Sequence, residues 1–203
     1  MYSSLPHFVL GFHGCDKEIG EAILADNARQ KPSANAYDWL GNGIYFWENN
    51  PQRALQYAQE RKIKKTRTKG IINSPFVLGA IIDLGYCLNL VESKSLQTLK
   101  TSYQALEEIS KITGASLPQN KEIEGDVLLR YLDCAVIEFL HELRKLNNQH
   151  MFDSVRGVFM EGPALYPGSG FVANNHIQIC IRNPNCIKGY FRVRMDDARF
   201  PIP

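Results

Sequence analysis

The sequence predicts an α+β fold, because strand-like segments occupy both ends of the chain and helix-like segments lie between them. Two short motifs near the start carry the rest of the prediction. Phe12-His13-Gly14-Cys15 closes an apolar run, and Gly41-Asn42-Gly43-Ile44-Tyr45-Phe46 follows it. Each sets a polar ring, an imidazole and then a phenol, among glycines whose missing Cβ lets a flat ligand lie close to the backbone. For both motifs to meet in one cleft, the two early strands and the three late ones have to pair.

The elements follow in order. His7 to Phe12 reads as a first strand, and Asp16 as the cap of a helix through about Asn27, with Ile19, Ala22 and Ile23 on one face. Residues 28–40 form a polar loop broken by Pro32. Gly43 to Trp47 is a second strand, rich in β-branched and aromatic side chains. Asn49 or Asn50 caps the next helix, with Pro51 near its first position, running through Tyr57 to about Lys65. Pro75 to Leu90 suits a central strand. Helices are expected over Ser93–Ile112 and Gly125–Leu146, separated by a break at 114–121; the second carries Val127, Leu128, Tyr131, Leu132, Ala135, Ile137, Phe139 and Leu143 at helical spacing. Ser154–Met160, His176–Arg182 and Ile187–Val193 read as three late strands, and the loop from Glu161 to Asn175 is rich in glycine and proline.

Composition narrows the function classes. A chain of 203 residues, 44% hydrophobic and 22% charged, is expected to form one domain over residues 1–203 with an ordinary core. Its formal charge of +2 argues for neither a nucleic-acid nor a membrane partner. No run approaches the ~18 apolar residues of a membrane span, and Met1 to Leu10 lacks the basic start and apolar core of a signal peptide. Cys15, Cys87, Cys134, Cys180 and Cys186 are odd in number and contain no CxxC pair, which argues against a disulfide framework and a zinc site and for a reducing, cytoplasmic compartment. His141 and His150 have no ligand-like spacing, so no metal is assigned.

FHGC, then GNGIYFWE, then ALQYA on the next helix resembles the NAD-binding core of the ADP-ribosyltransferases of the diphtheria-toxin and PARP type. The signature of that family is a His-Gly pair in a first strand, a GxGIYF strand, a helix bearing a second Tyr, and a late-strand glutamate. The resemblance covers the first sixty residues well and the last thirty loosely. It implies two packed, mostly antiparallel sheets with an NAD cleft between them; the helical stretch at about residues 93–146 matches nothing in the family and is expected to be an insertion. The resemblance further implies NAD as a substrate and a macromolecular acceptor, protein or nucleic acid.

Carried over position by position, the resemblance gives His13 a ribose hydroxyl of the adenosine half, and the Gly14 backbone the nicotinamide carboxamide. Tyr45 would stack on the nicotinamide ring, and Tyr57 would close its other face. Gly43 belongs to the same nucleotide-binding strand. Cys15 stands where the family often has Ser or Thr, which weakens one hydrogen bond. Breaking the nicotinamide–ribose bond passes through an oxocarbenium-like transition state, so a nearby carboxylate stabilises the growing positive charge. Stacked aromatics fix the leaving ring and exclude water.

The chain departs from the pattern at the late strand, where Gln178 takes the place of the glutamate. An amide holds a hydroxyl but brings no charge and cannot act as a base. Glu161, which ends the strand before the Gly/Pro loop, is the candidate base. The loop itself, with Tyr166 and Phe171, is the candidate acceptor-recognition segment. His176, two residues from Gln178, shares its strand face.

Each site residue also has a plainer reading: Tyr45 as a core aromatic, Tyr57 as helix packing, Gln178 as a buried amide, Glu161 as a surface carboxylate. The basic run at 61–69 reads as a solvated face, or as a surface for NAD phosphates or a nucleic acid. The reading favoured is a mono-ADP-ribosyltransferase. The alternatives are a non-catalytic NAD- or ADP-ribose-binding module of the same fold, and an RNA 2′-phosphotransferase-like enzyme drawing on Arg53, Arg182, Arg192 and Arg194.

Overall fold

In the computed structural model, which describes residues 8–63, 70–123, 125–194 and 199, the chain is an α+β structure built on one mixed sheet of seven strands with a small hairpin beside it. The strands are β1 (Phe8–Asp16), β2 (Ile44–Glu48), β3 (Pro75–Asp83), β4 (Cys87–Asn89), β7 (Ser154–Phe159), β8 (His176–Ile181) and β9 (Ile187–Arg192); β5 (Lys121–Ile123) and β6 (Asp126–Leu129) make the hairpin. The helices are α1 (Lys17–Leu24), α2 (Pro51–Ile63), α3 (Ser93–Thr113) and α4 (Tyr131–Leu146). Sheet order is β4-β7-β8-β2-β1-β3-β9, antiparallel throughout except for the β4–β7 pair.

Early and late strands therefore do pair, through β2 and β8, with Tyr45 opposite Cys180 and Trp47 opposite Gln178. The expectation of two packed sheets is corrected: hydrogen bonds run unbroken from β4 to β9. The weakest seam is between β1 and β2, where only Gly11–Glu48 and Phe12–Trp47 pair, against nine pairs between β1 and β3.

Alternation then sorts the side chains. One face carries Phe12, Gly14, Tyr45, Trp47, Gln178 and Cys180. It is covered over β1 by α2, through Ala54 against Phe12 and Trp47, and over β7 and β8 by α4, through Ile137 and Leu140 against Val155 and Cys180. The other face carries His13, Cys15, Phe46 and Ile179, and takes α1 through Ile23. Asp16 joins the layers. One carboxylate oxygen caps α1 at the Glu18 N–H, 3.0 Å away, and the other accepts from Asn73 and Ser74 at 2.7 and 3.0 Å, fixing the entry to β3.

Three elements differ from the sequence expectation. The segment 75–90 is two strands, because Asp153 draws the chain aside at Tyr86 N–H (2.9 Å), sending β4 to the opposite edge of the sheet. The second long helix begins at Tyr131, since residues 126–129 pair as β6. The insertion at 93–146 is thus two helices with a hairpin between them. The first helix stops at Leu24. Of the basic run, residues 64–69 lie outside the described residues, as does His7.

Candidate functional site

Between α2 and α4 this face of the sheet is covered by the loop before β2, with Trp39 against Gly157 and Leu40 against Val155 and Cys180, and Glu161 after β7 reaches Arg53 of α2. Each candidate residue can be placed relative to this cover.

His13 lies where the β1–β2 ladder ends. Leu10 C=O accepts from Asn49 N–H at 2.9 Å, so residues 10, 12 and 14 turn their backbone groups toward β2. The next hydrogen-bonded pair in that register would be Gly14 with Tyr45. There the ladder has stopped, and the Tyr45 carbonyl accepts instead from the His13 ring at Nδ1, 2.8 Å away. A carbonyl only accepts, so Nδ1 carries the proton and Nε2 is left as an acceptor. Burial holds the His13 pKa below its ordinary value, opposed by the Tyr45 carbonyl, which keeps the ring neutral near pH 7.

The amide and carbonyl of the buried Gly14 thereby point toward the β2 side, past the last β1–β2 pair. Its α-carbon, however, meets protein: a Cβ there would stand 2.1 Å from the Ala54 carbonyl oxygen. Gly43 is likewise filled, by Cys180 Sγ at 2.5 Å, and Gly41 (φ 77°) by Glu138 at 2.5 Å. The expectation that these glycines leave room for a ligand is corrected. They leave room for α2, β8 and α4, and only the backbone edge of Gly14 faces the seam.

The Tyr45 hydroxyl donates to Gly41 C=O at 2.8 Å and accepts from Leu40 N–H at 3.0 Å, with its ring half-buried against the cluster of Leu40 and Cys180. It shares a face with Gln178, whereas the Cβ of His13 is on the opposite face beside Phe46, ring centroids 6.0 Å apart. The three side chains are joined through main chain and do not converge as one cluster. Cys15 is corrected outright: it faces away from the cleft, buried with Ile23 and Leu78 beneath α1, and burial raises its thiol pKa to about 11.

Tyr57 stands against Trp47, centroids 4.9 Å apart, and makes an aromatic wall with it. Glu161, at the end of β7, is paired with the nearly buried Arg53 of α2 at 2.8 Å, and Arg53 reaches Glu60 at 3.4 Å. Gln178 is engaged at both ends of its amide: Trp39 Nε1–H donates to its Oε1 at 2.7 Å, and its Nε2 lies 3.0 Å from His176 Nε2. The remaining arginines disperse. Arg182 pairs with Glu138 of α4, and Arg192 with Glu21 of α1 on the other face. Arg53, Arg182 and Arg192 are thus each held by a different carboxylate, Glu161, Glu138 and Glu21.

Sequence reasoning missed Trp39, Trp47, Arg53's pairing and Arg130. Arg130, just before α4, lies over Trp39 (5.2 Å) and Phe159 (4.7 Å). Trp39 had a usable signal, a tryptophan near the end of an otherwise mostly polar loop. Arg130 had none, because its distance in sequence hides its neighbours.

His13, His141 and His176 all sit below the ordinary histidine pKa, burial being the largest cause in each. The unfolded chain takes up these protons as pH falls through about 6.5, while the folded chain does not until lower pH, so stability is lost on acidification. The midpoint of urea unfolding is expected to drop between pH 7.5 and 5.5, before carboxylates such as Asp16 begin to protonate. A flat midpoint over that range would count against this.

No protein-family model matches the chain, and neither does any solved structure. A protein of Methanocaldococcus jannaschii, named Uncharacterized protein MJ0359, is 22% identical over 194 residues. The alignment covers 87% of this chain and 83% of that protein. The similarity spans nearly the whole fold and carries no activity with it. Among the described residues no helix is long and apolar enough to cross a membrane.

Proposed function

We propose that this chain binds NAD at the seam between β1 and β2 and transfers a single ADP-ribose to a macromolecular acceptor, releasing nicotinamide. One observation carries the reading: the His13 imidazole occupies the Tyr45 carbonyl, so the Gly14 amide and carbonyl are directed into the seam. A carboxamide needs one acceptor and one donor in line, which is what an unpaired strand residue offers. His13 Nε2, left as an acceptor, suits a ribose hydroxyl.

In this reading the Trp47–Tyr57 wall lies beside the ring, and Gln178 holds a ribose hydroxyl without charge. The C1′–nitrogen bond of NAD breaks and nicotinamide leaves with the electron pair. The acceptor nucleophile bonds to C1′ and its proton passes to Glu161, once Glu161 has exchanged its Arg53 partner for the acceptor. The uncharged Gln178 points to a slow, single transfer rather than chain growth.

The test is NAD titration by intrinsic tryptophan fluorescence, with nicotinamide release measured in the presence of protein or RNA extract. Substituting alanine for His13 is expected to weaken NAD binding at least tenfold, about 1.4 kcal/mol. Unchanged affinity in a folded variant would sink the reading. The Arg53–Glu161 pair favours a second reading, a binding module that holds NAD without turnover, because it neutralises the only carboxylate proposed as base. That version wins if NAD binds, no nicotinamide appears with any acceptor, and Glu161→Ala changes nothing.

A further inference from the structure

His176, Gln178 and Trp39 form a hydrogen-bond chain whose polarity can be read from one end. His176 Nδ1 is 2.6 Å from the Asn174 carbonyl, which only accepts, so Nδ1 carries the proton. Neutral imidazole then has a bare Nε2, and the group 3.0 Å away must donate to it; that group is the Gln178 NH2. This orients the amide, placing Oε1 toward the indole N–H of Trp39 at 2.7 Å. Three bonds agree on one tautomer and one amide orientation, and reversing any link sets donor against donor or acceptor against acceptor.

Both ends of the chain are held. His176 is buried, against Phe159 (5.4 Å between centroids) and Trp47 (6.1 Å). Trp39 is clamped between Phe159, 5.1 Å away, and the Arg130 guanidinium.

We propose that Trp39 and His176 are positioning residues that fix the Gln178 amide, and that this strand position is built for an amide rather than for the carboxylate it resembles. A glutamate would meet the Trp39 N–H well but would face a bare Nε2 lone pair, acceptor against acceptor. It fits only if His176 takes a proton. With Nε2 and Trp39 accounted for, Gln178 retains one N–H and one lone pair for a ligand. The assignment of that ligand as a ribose hydroxyl rests on the NAD reading; the chain itself does not.

The charged groups that bear on His176 are Arg53 of α2 and Glu161 after β7, acting in opposite senses. Burial is the largest influence and favours the neutral ring.

Nitrogen-15 NMR of the whole chain tests this, reading the His176 tautomer and titration in the wild type, Gln178→Glu and Trp39→Phe. The wild type is expected to show Nδ1–H alone. In Gln178→Glu the His176 midpoint should rise by at least about one pH unit, a tenfold gain in proton affinity, because the new carboxylate can only accept. Trp39→Phe frees Oε1, so the amide loses one of its two anchors: the Gln178 side-chain NH2 signals should shift and broaden, while His176, whose Nδ1–H is held by the Asn174 carbonyl, keeps its tautomer. An Nε2–H tautomer in the wild type, or an unmoved titration in Gln178→Glu, overturns the proposal. If Gln178→Glu fails to fold, Trp39→Phe decides alone: Gln178 NH2 signals as sharp and as placed as in the wild type overturn it. NAD affinity is measured on the same samples. Its absence in the wild type would remove the nucleotide reading and leave the positioning result intact.

Discussion

Alanine at position 14 is expected to destabilise the protein by about 3 kcal/mol, the upper end for forcing a methyl into a packed site. The reason is geometric. The added Cβ would sit 2.1 Å from the carbonyl oxygen of Ala54 and 3.1 Å from its carbonyl carbon, and main-chain atoms inside a helix cannot swing away as a side chain end can. Ala54 has no exposed surface, so the strain falls on α2 as a body. Moving α2 would disturb the Trp47–Tyr57 contact and the Arg53–Glu161 pair together, because Tyr57 and Arg53 ride on that helix. A urea midpoint at least 1 M lower, for a slope of about 2 kcal/mol/M, with altered near-ultraviolet circular dichroism, is the expected result. An unchanged midpoint would show that α2 does not pack on Gly14 as described.

The second large effect is expected at Glu48. Its carboxylate holds Arg156 through two bonds, Nε at 2.5 Å and Nη2 at 2.8 Å, and the two side chains are 11% and 17% exposed. Arg156 in turn donates to Asn89 Oδ1 at 3.1 Å, tying β7 to both β2 and β4. Glu48→Ala leaves a mostly buried guanidinium with one neutral partner, and removing one member of a buried pair costs roughly 3 kcal/mol or more. Glu48→Gln keeps an acceptor and should lose less. The double variant Glu48→Leu/Arg156→Met should recover much of the loss, since it leaves no orphaned charge. A double-mutant cycle on unfolding free energy checks all three; near-additive losses would mean that the pair is not the source.

Both positions bear on how much the sequence could say. The α+β class followed from local patterns: β-branched and aromatic runs at both ends, helical spacing between, Asp16 and Asn50 as caps. Asn50 does cap α2, its Oδ1 accepting from Arg53 N–H at 2.9 Å. Those signals are carried by residues close in sequence, so one chain suffices to read them. The split of 75–90 into β3 and β4 was not legible, because Asp153 causes it from far along the chain.

The candidate site divides in the same way. The residue types of the His13-Gly14 and Gly43–Tyr45 motifs were visible, and so was the amide at position 178. What the glycines are for was not. A missing Cβ looks the same in sequence whether it admits a ligand or a helix, and here α2, β8 and α4 fill the space.

The sequence by itself determined which segments extend and which coil, since those preferences are set by steric and hydrogen-bonding choices within a few residues. Tertiary structure alone decided that Cys15 and the Cβ of His13 turn away from Gln178, because a strand sends successive residues to opposite faces and only the pairing says which face is which. It also decided that Gln178 is held by Trp39 and His176. A hydrogen bond between residues 139 apart is set by the closing of the sheet, not by anything either residue carries alone.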